Sequence, residues 1–333
     1  MEKRQLGRTN VQVSPIIFGA WAIGGWMWGG TDERESIAAI QASIEQGANT
    51  IDTAAIYGMG LSEEIVGKAI KGKRDKVVIA TKCGMRWDSK EGSNPWVQTA
   101  PDGKQVVIRT NTKPESITYE CEQSLKRLGV DVIDLYQIHW PDPGTPLEES
   151  WKAMVKLKEQ GKVRAIGVSN YNIEQLRRTQ AIHPVDSLQP PYSLIRRDIE
   201  ADLLPFCREN QISVLAYSPL ERGLLTGKVT MDRRFKKDDH RATHPFFAPE
   251  NRKVVLEALE KIKPIAEKVK GTLSQVICNC TIDIPGITSA IVGARNPAQA
   301  IENAKSADLS LTDKEREFIV KTLSEAMHQL VEA

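Results

Sequence analysis

No stretch of this chain is long and uncharged enough to span a bilayer, and its first residues, Met1-Glu2-Lys3-Arg4-Gln5-Leu6-Gly7, hold none of the apolar core that a secretory leader needs. A soluble, cytoplasmic protein is expected. Charge of one sign is lacking too: 45 basic against 43 acidic residues leave a formal +2 over 333 positions, so there is no electrostatic footprint for nucleic acid or an anionic membrane. Small, roughly neutral partners are favoured. Cysteines number five, an odd count without metal-ligand spacing, and Cys278 and Cys280 stand too close for a C-x-x-C knuckle. Reduced, buried thiols fit better than a disulfide framework. Nucleotide fingerprints are missing as well. Gly58-Met59-Gly60 lacks the third glycine of a Rossmann turn, and Gly223 to Lys228 is one residue short of a P-loop, with Val229 where Ser or Thr must hold magnesium.

What the chain does have is a regular alternation of short apolar strands and amphipathic helices. Strands are expected near 16–19, 49–52, 77–81, 132–138, 163–168, 186–189, 212–216 and 288–292, and helices near 32–46, 61–71, 114–128, 147–160, 172–181, 197–209 and 297–304. Eight Val/Ile/Leu-rich strands with helices between them predict an α/β fold, a parallel sheet closed into a (β/α)₈ TIM barrel; an open doubly wound sheet is the alternative. Gln5 to Ser14 reads as an N-terminal β-hairpin, and 251–270 and 311 to the end read as additional helices toward the C-terminus, all within one domain over 1–333. Two long insertions, 85–112 and 228–249, read as either functional loops or mere surface; on the active-site side the first would be a substrate loop.

The chemistry gathers at strand ends. Asn49-Thr-Ile-Asp-Thr-Ala-Ala-Ile-Tyr-Gly58 stops a strand on Asp52 and carries Tyr57 on the loop beyond; the next strand delivers Lys82 and a third delivers His139. A lysine ammonium beside a phenol, backed by a carboxylate, makes a proton relay, and an imidazole can orient a carbonyl oxygen. Carbonyl reduction is the reaction such a set serves, given a hydride donor. Each residue alone has an ordinary structural use, as a cap, ion pair, core histidine or packing ring; four roles of one mechanism at strand ends on one rim favour the site. Ile291-Val-Gly-Ala-Arg-Asn-Pro-Ala-Gln299 adds a glycine turn and Arg295 at a helix N-terminus, a setting that suits an anion.

With those segments, together with Ser62-Glu-Glu-Ile-Val-Gly67, Leu125-Lys-Arg-Leu-Gly129, Asp134-Leu-Tyr-Gln-Ile-His-Trp140, Gly167-Val-Ser-Asn170 and Ala216-Tyr-Ser-Pro-Leu220, the chain resembles the aldo-keto reductases, in particular the bacterial branch similar to potassium-channel β-subunits. The resemblance implies a barrel that binds NADPH or NADP+, with NADH a weaker second, and that reduces a small-molecule carbonyl substrate, an aldehyde or a ketone. It implies Tyr57 as the acid, with Asp52, Lys82 and His139 around it. Ser169, Asn170 and Gln189 would hold the carboxamide, and Tyr217 would stack on the nicotinamide. Ser218, Pro219, Leu220 and Gly223 would cover the pyrophosphate, and Gly293, Arg295, Gln299 and Asn303 would grip the adenosine end, Arg295 near the 2′-phosphate. Gly19 and Trp21 match the family's first-strand loop beside the nicotinamide. Trp26, Trp28, Trp87, Trp140 and Phe247 are candidate walls of an apolar substrate pocket. Val276 to Asp283 departs from the Ala/Leu/Trp-rich helix usual there, which puts helix packing at that point in question. A nucleotide-sensing subunit with little turnover, and a Schiff-base enzyme using Lys82, are the alternatives; a charged Lys82 argues against the latter. A monomer or small homo-oligomer is expected.

Overall fold

The computed structural model describes residues 1–25, 27–28, 30–235 and 239–331. Among the described residues eight parallel strands close into a barrel in sequence order: β1 Ile16–Gly19, β2 Thr50–Asp52, β3 Val78–Cys83, β4 Ile133–Ile138, β5 Val163–Ser169, β6 Ser187–Gln189, β7 Ser213–Tyr217 and β8 Ile287–Gly293. Each strand read from the sequence is found within two residues of its expected ends. The helices that follow are α1 Glu33–Glu45, α2 Leu61–Ala69, α3 Pro114–Leu128, α4 Leu147–Glu159 and α5 Ile173–Ile182. Then come α6 Leu203–Glu209, α7 Pro249–Lys268, α8 Leu273–Asp283, α9 Pro297–Ala304 and α10 Asp313–Met327. None of these described helices is long and apolar enough to cross a membrane.

Strand periodicity sorts the side chains into two layers. Ile16, Phe18, Ile51, Ile79, Tyr136, Ile138, Ile166, Val168, Leu188, Val214, Ala290 and Val292 face outward and pack with the helices. Their neighbours Ile17, Ala80, Leu135, Ala165, Leu215 and Ile291 point into the barrel. The hairpin Arg4–Gln5 with Gln12–Val13 brings Leu6, Val11 and Val13 onto that inner layer, so the lower mouth is plugged. Only the carboxyl-end rim is left to open on a cleft.

Three segments differ from the sequence reading. The 85–112 insertion is not a loop but an antiparallel ribbon of Met85–Arg86, Ser93–Thr99 and Gln105–Thr110. Its signal was the Ala100-Pro-Asp-Gly103 turn, where Gly103 N–H donates to Ala100 O at 2.9 Å, flanked by the apolar pair Trp96-Val97 and the apolar triplet Val106-Val107-Ile108. Trp96, Val106 and Ile108 then cover Ala54, Ile56 and Met85. The helix expected over 197–209 breaks into a single turn, Asp198–Glu200, and α6, because the Asp202 carboxylate caps Leu203 N at 2.6 Å. Finally, the segment from Val276 to Asp283 is helical after all. Thr272 and Gln275 form a capping box at its start, and the helix is buried from Ser274 to Ile282 against β8, α7, α9 and α10. A helix covered all round carries no amphipathic stripe, so its pattern was unreadable. Cys278 and Cys280 face different ways and are both buried, and all five thiols are free.

Candidate active site

The period of two that fills the barrel also decides what reaches its rim. The last inward positions of the strands are Gly19, Asp52, Lys82, Ser169, Gln189, Tyr217 and Gly293, with His139 one residue beyond β4. Register locks them side by side, Gly19 opposite Asp52, Ser169 opposite Gln189 and Gly293 opposite Gly19. Tyr57 arrives from the loop after β2. That loop turns at Gly58 with φ +65°, and a Cβ there would lie 2.3 Å from the Gly24 carbonyl oxygen. Gly58→Ala is therefore expected to cost about 1–3 kcal/mol in denaturant unfolding, by forcing apart the loops that hold Tyr57 and Trp21.

The Lys82 ammonium spends its three protons on the Asp52 carboxylate at 2.7 Å, the Thr53 carbonyl at 2.9 Å and the Tyr57 hydroxyl at 3.2 Å. The second Asp52 oxygen accepts from Gln189 Nε2 at 2.8 Å. Nothing in this group is left unpaired, which is what burial at 1 % and 3 % exposure for Lys82 and Asp52 requires. Burial alone would lower the Lys82 pKa, but Asp52 and the phenol more than offset it, and the ammonium is held above its ordinary value. Burial pushes the Tyr57 phenol up, against the pull of Lys82. The lysine alone would favour phenolate; desolvation wins, and the phenol keeps its proton at neutral pH. His139 crosses the Tyr57 ring edge-on at 5.7 Å. Burial, then Lys82, hold its imidazole well below the usual range, so it is neutral. A protonated phenol and a neutral imidazole at one cleft can give a proton to, and direct, a carbonyl oxygen.

From this group a cleft of about 750 Å³ runs along the rim to the start of α9. Ser169, Asn170, Gln189, Tyr217, the Ser218 to Leu220 turn, Gly223, Gly293, Arg295, Gln299 and Asn303 all line it, as do Gly19 and Trp21. Several of their polar atoms are engaged within the protein. Asn170 donates to the His139 carbonyl at 3.0 Å and accepts from the Tyr217 hydroxyl at 2.9 Å, while Ser169 donates to the Gln189 carbonyl at 2.8 Å. Arg295 is exposed at the rim, yet it is tied back onto the protein. Its guanidinium donates to the carbonyls of Trp28 at 3.2 Å and Gly30 at 2.8 Å, bridging the loops after β8 and β1. The backbone after β7 is strained, with Ser218, Glu221 and Arg222 at φ +59°, +42° and +54°.

Of the candidate pocket walls, Trp28 and Trp140 line the cleft, and Trp26 lies outside the described residues. Trp87 and Phe247 do not line it. Trp87 packs under the ribbon with the Arg127 guanidinium 5.7 Å from its ring, and Phe247 is buried edge-on behind Phe235. Ile56, Met85 and Phe235 line the cleft in their place. Sequence reasoning also missed Arg222, Lys228, Arg233 and Arg241, although the charge of the 228–249 insertion was a signal for the last three. His240 from that insertion stacks on Trp21 at 5.2 Å, and its Nδ1 lies 3.2 Å from the Met27 carbonyl.

The cleft fits an extended, polyanionic ligand on the evidence of its donors. Among the described residues Trp21 Nε1, Trp28 Nε1 and Arg222 Nε are buried without a partner, and basic side chains stand along the wall from Arg222 to Arg295. A nicotinamide dinucleotide has the length and the phosphates to use them.

Comparison with known proteins gives the family of the chain. The Aldo/keto reductase family model matches residues 15–323. The chain is 43% identical over 302 residues to aldo-keto reductase YhdN of Bacillus subtilis, covering 90% of this chain and 86% of that protein. It is 36% identical to an NADH-specific methylglyoxal reductase of Escherichia coli, covering 99% and 100%. Among solved structures, the glycerol dehydrogenase AKR11B4 from Gluconobacter oxydans superposes with a TM-score of 0.86 at 38% identity, over 97% of this chain and 95% of that one. The chain belongs to the aldo/keto reductase family, oxidoreductases that act on carbonyl and alcohol groups with a nicotinamide cofactor.

Proposed function

We propose that this protein is a cytoplasmic, NADPH-dependent reductase of aldehydes and ketones, its whole length acting as one barrel domain, with Tyr57 as general acid. The observation that carries the reading is the buried Lys82 ammonium joined at once to Asp52 and to the Tyr57 hydroxyl. The reduced cofactor, when bound, supplies the hydride. Tyr57 Oη gives its proton to the substrate oxygen, and Lys82, 3.2 Å away, stabilises the phenolate left behind. Asp52 and Gln189 keep that ammonium charged and fixed. His139, neutral, orients the same oxygen, and the apolar walls of Trp21, Ile56, Met85 and Trp140 exclude water and favour aldehydes over charged sugars.

Asn170 and Ser169 would hold the carboxamide, Tyr217 would stack on the nicotinamide, and the turn from Ser218 to Gly223 with Arg222 would meet the pyrophosphate. The test is absorbance of the reduced nicotinamide with protein and a panel of aromatic and aliphatic aldehydes, NADH in parallel. Consumption that needs both protein and aldehyde is expected; tight NADPH binding with no turnover on any aldehyde would overturn the reading. The preference for NADPH rests on the basic wall, and the Escherichia coli relative is NADH-specific. Arg295→Ala is expected to weaken NADPH on the order of tenfold more than NADH by fluorescence titration. Equal loss would mean that Arg295 serves only its bridge to Trp28 and Gly30.

A further inference from the structure

Glu120 is a buried carboxyl that the reaction scheme above does not use. It projects from α3, is 3 % exposed, and places both oxygens 3.1 Å from the Gly84 nitrogen. One oxygen also accepts from Ser116 Oγ at 3.3 Å, and Ser116 in turn accepts from Arg86 at 2.9 Å. Burying a carboxyl in the middle of a helix is costly, and a local cap on one N–H is a small return for it.

The peptide group that it holds is not an ordinary one. Gly84 follows Lys82 and Cys83 directly, at φ +93°, and a Cβ on it would come within 2.9 Å of Thr112 Cγ2, so the position calls for glycine. The other end of the same peptide group, the Cys83 carbonyl, accepts from the His139 N–H at 2.9 Å. One amide plane is thus gripped by Glu120 on one side and His139 on the other, one residue from Lys82. We propose that Glu120 is a positioning residue, setting through the Cys83–Gly84 peptide group where Lys82 and His139 stand. The proposal rests on the reading of those two residues as part of the reaction centre.

The grip depends on the charge of Glu120. Burial pushes its carboxyl up to about 8, against the pull of the Gly84 N–H and Arg86. The titratable and charged groups around it are Arg86 and Asp88 beyond β3, the Cys83 thiol on β3, the Tyr136 phenol on β4 and Cys121 on its own helix. As a carboxylate it takes the Gly84 N–H in a charge-assisted bond; once protonated it holds that N–H more weakly. The peptide therefore tightens as pH rises through about 8.

The test uses the full chain labelled with [15N]glycine and [15N]histidine, the His139 signals being identified with His139→Gln. The Gly84 amide and the His139 ring are expected to share an inflection near pH 8 that Glu120→Gln removes. An inflection at Gly84 alone, with His139 indifferent to Glu120→Gln, would reduce Glu120 to a local cap and overturn the proposal. In turnover, Glu120→Ala is expected to lower kcat on the order of tenfold to a hundredfold with KM and NADPH affinity unchanged. Glu120→Gln keeps a carbonyl acceptor for Gly84 and is expected to restore most of that rate, although the shared inflection of the Gly84 and His139 signals near pH 8 is gone. Wild-type kcat in Glu120→Ala would also overturn the proposal. Absence of turnover in the wild type would instead fail the functional reading, and the resonance titration would still decide the role of Glu120.

Discussion

Tyr57→Phe is expected to lower the rate of carbonyl reduction by about 10²–10⁴-fold while leaving NADPH affinity nearly intact. The substitution removes one oxygen and keeps the ring that packs between Trp21 and His139, so the cleft and its donors survive. What disappears is the proton for the substrate oxygen. The phenol is raised by burial, and an acid works only while protonated; the wild-type rate should therefore hold through neutral pH and fall only in the alkaline range. That alkaline limb should be missing from the residual activity of Tyr57→Phe. Steady-state kinetics across pH, with cofactor binding followed separately by fluorescence, checks both statements. Wild-type activity in the variant would remove Tyr57 from the mechanism.

Lys82→Met should abolish turnover and also cost about 3–5 kcal/mol of stability. The two effects have different origins. Without the ammonium, Tyr57 has no cation to stabilise its phenolate, and Asp52, 3 % exposed, is left as a buried carboxylate with only Gln189 for a partner. Replacing both members, Asp52→Asn with Lys82→Met, removes the stranded charge. The double variant should recover much of the stability and none of the activity. Urea unfolding of the four proteins of the cycle measures this. A single Lys82→Met as stable as the wild type would show that Asp52 escapes its burial by protonation, and that the ion pair adds little to folding.

The sheet was legible because strands buried on both faces are written as short Val/Ile/Leu runs, and because inward and outward positions alternate with a period of two. Asp52, Lys82 and His139 could be placed at strand ends on that basis alone. Elsewhere the pattern was absent or misleading. Helix α8 is covered on every side, so its sequence shows no stripe, and the ribbon over 85–110 was masked by the glycine and charge that mark a loop. The substrate walls were guessed from tryptophans, yet Trp87 and Phe247 pack away from the cleft, because an aromatic ring reports burial and not which side it is buried on.

By itself, then, the sequence determined the barrel, the rim and the chemical identity of the four residues on it, since local periodicity and residue type suffice for those. The tertiary structure decided how those residues behave. That the Tyr57 phenol is raised and not lowered follows from desolvation by neighbours distant in sequence. That Arg295 bridges to Trp28 and Gly30, and that Glu120 reaches the peptide beside Lys82, are contacts across 265 or more and 36 positions of chain respectively. Such contacts leave no local trace, because each is set by how closed elements pack and not by the residues on either side.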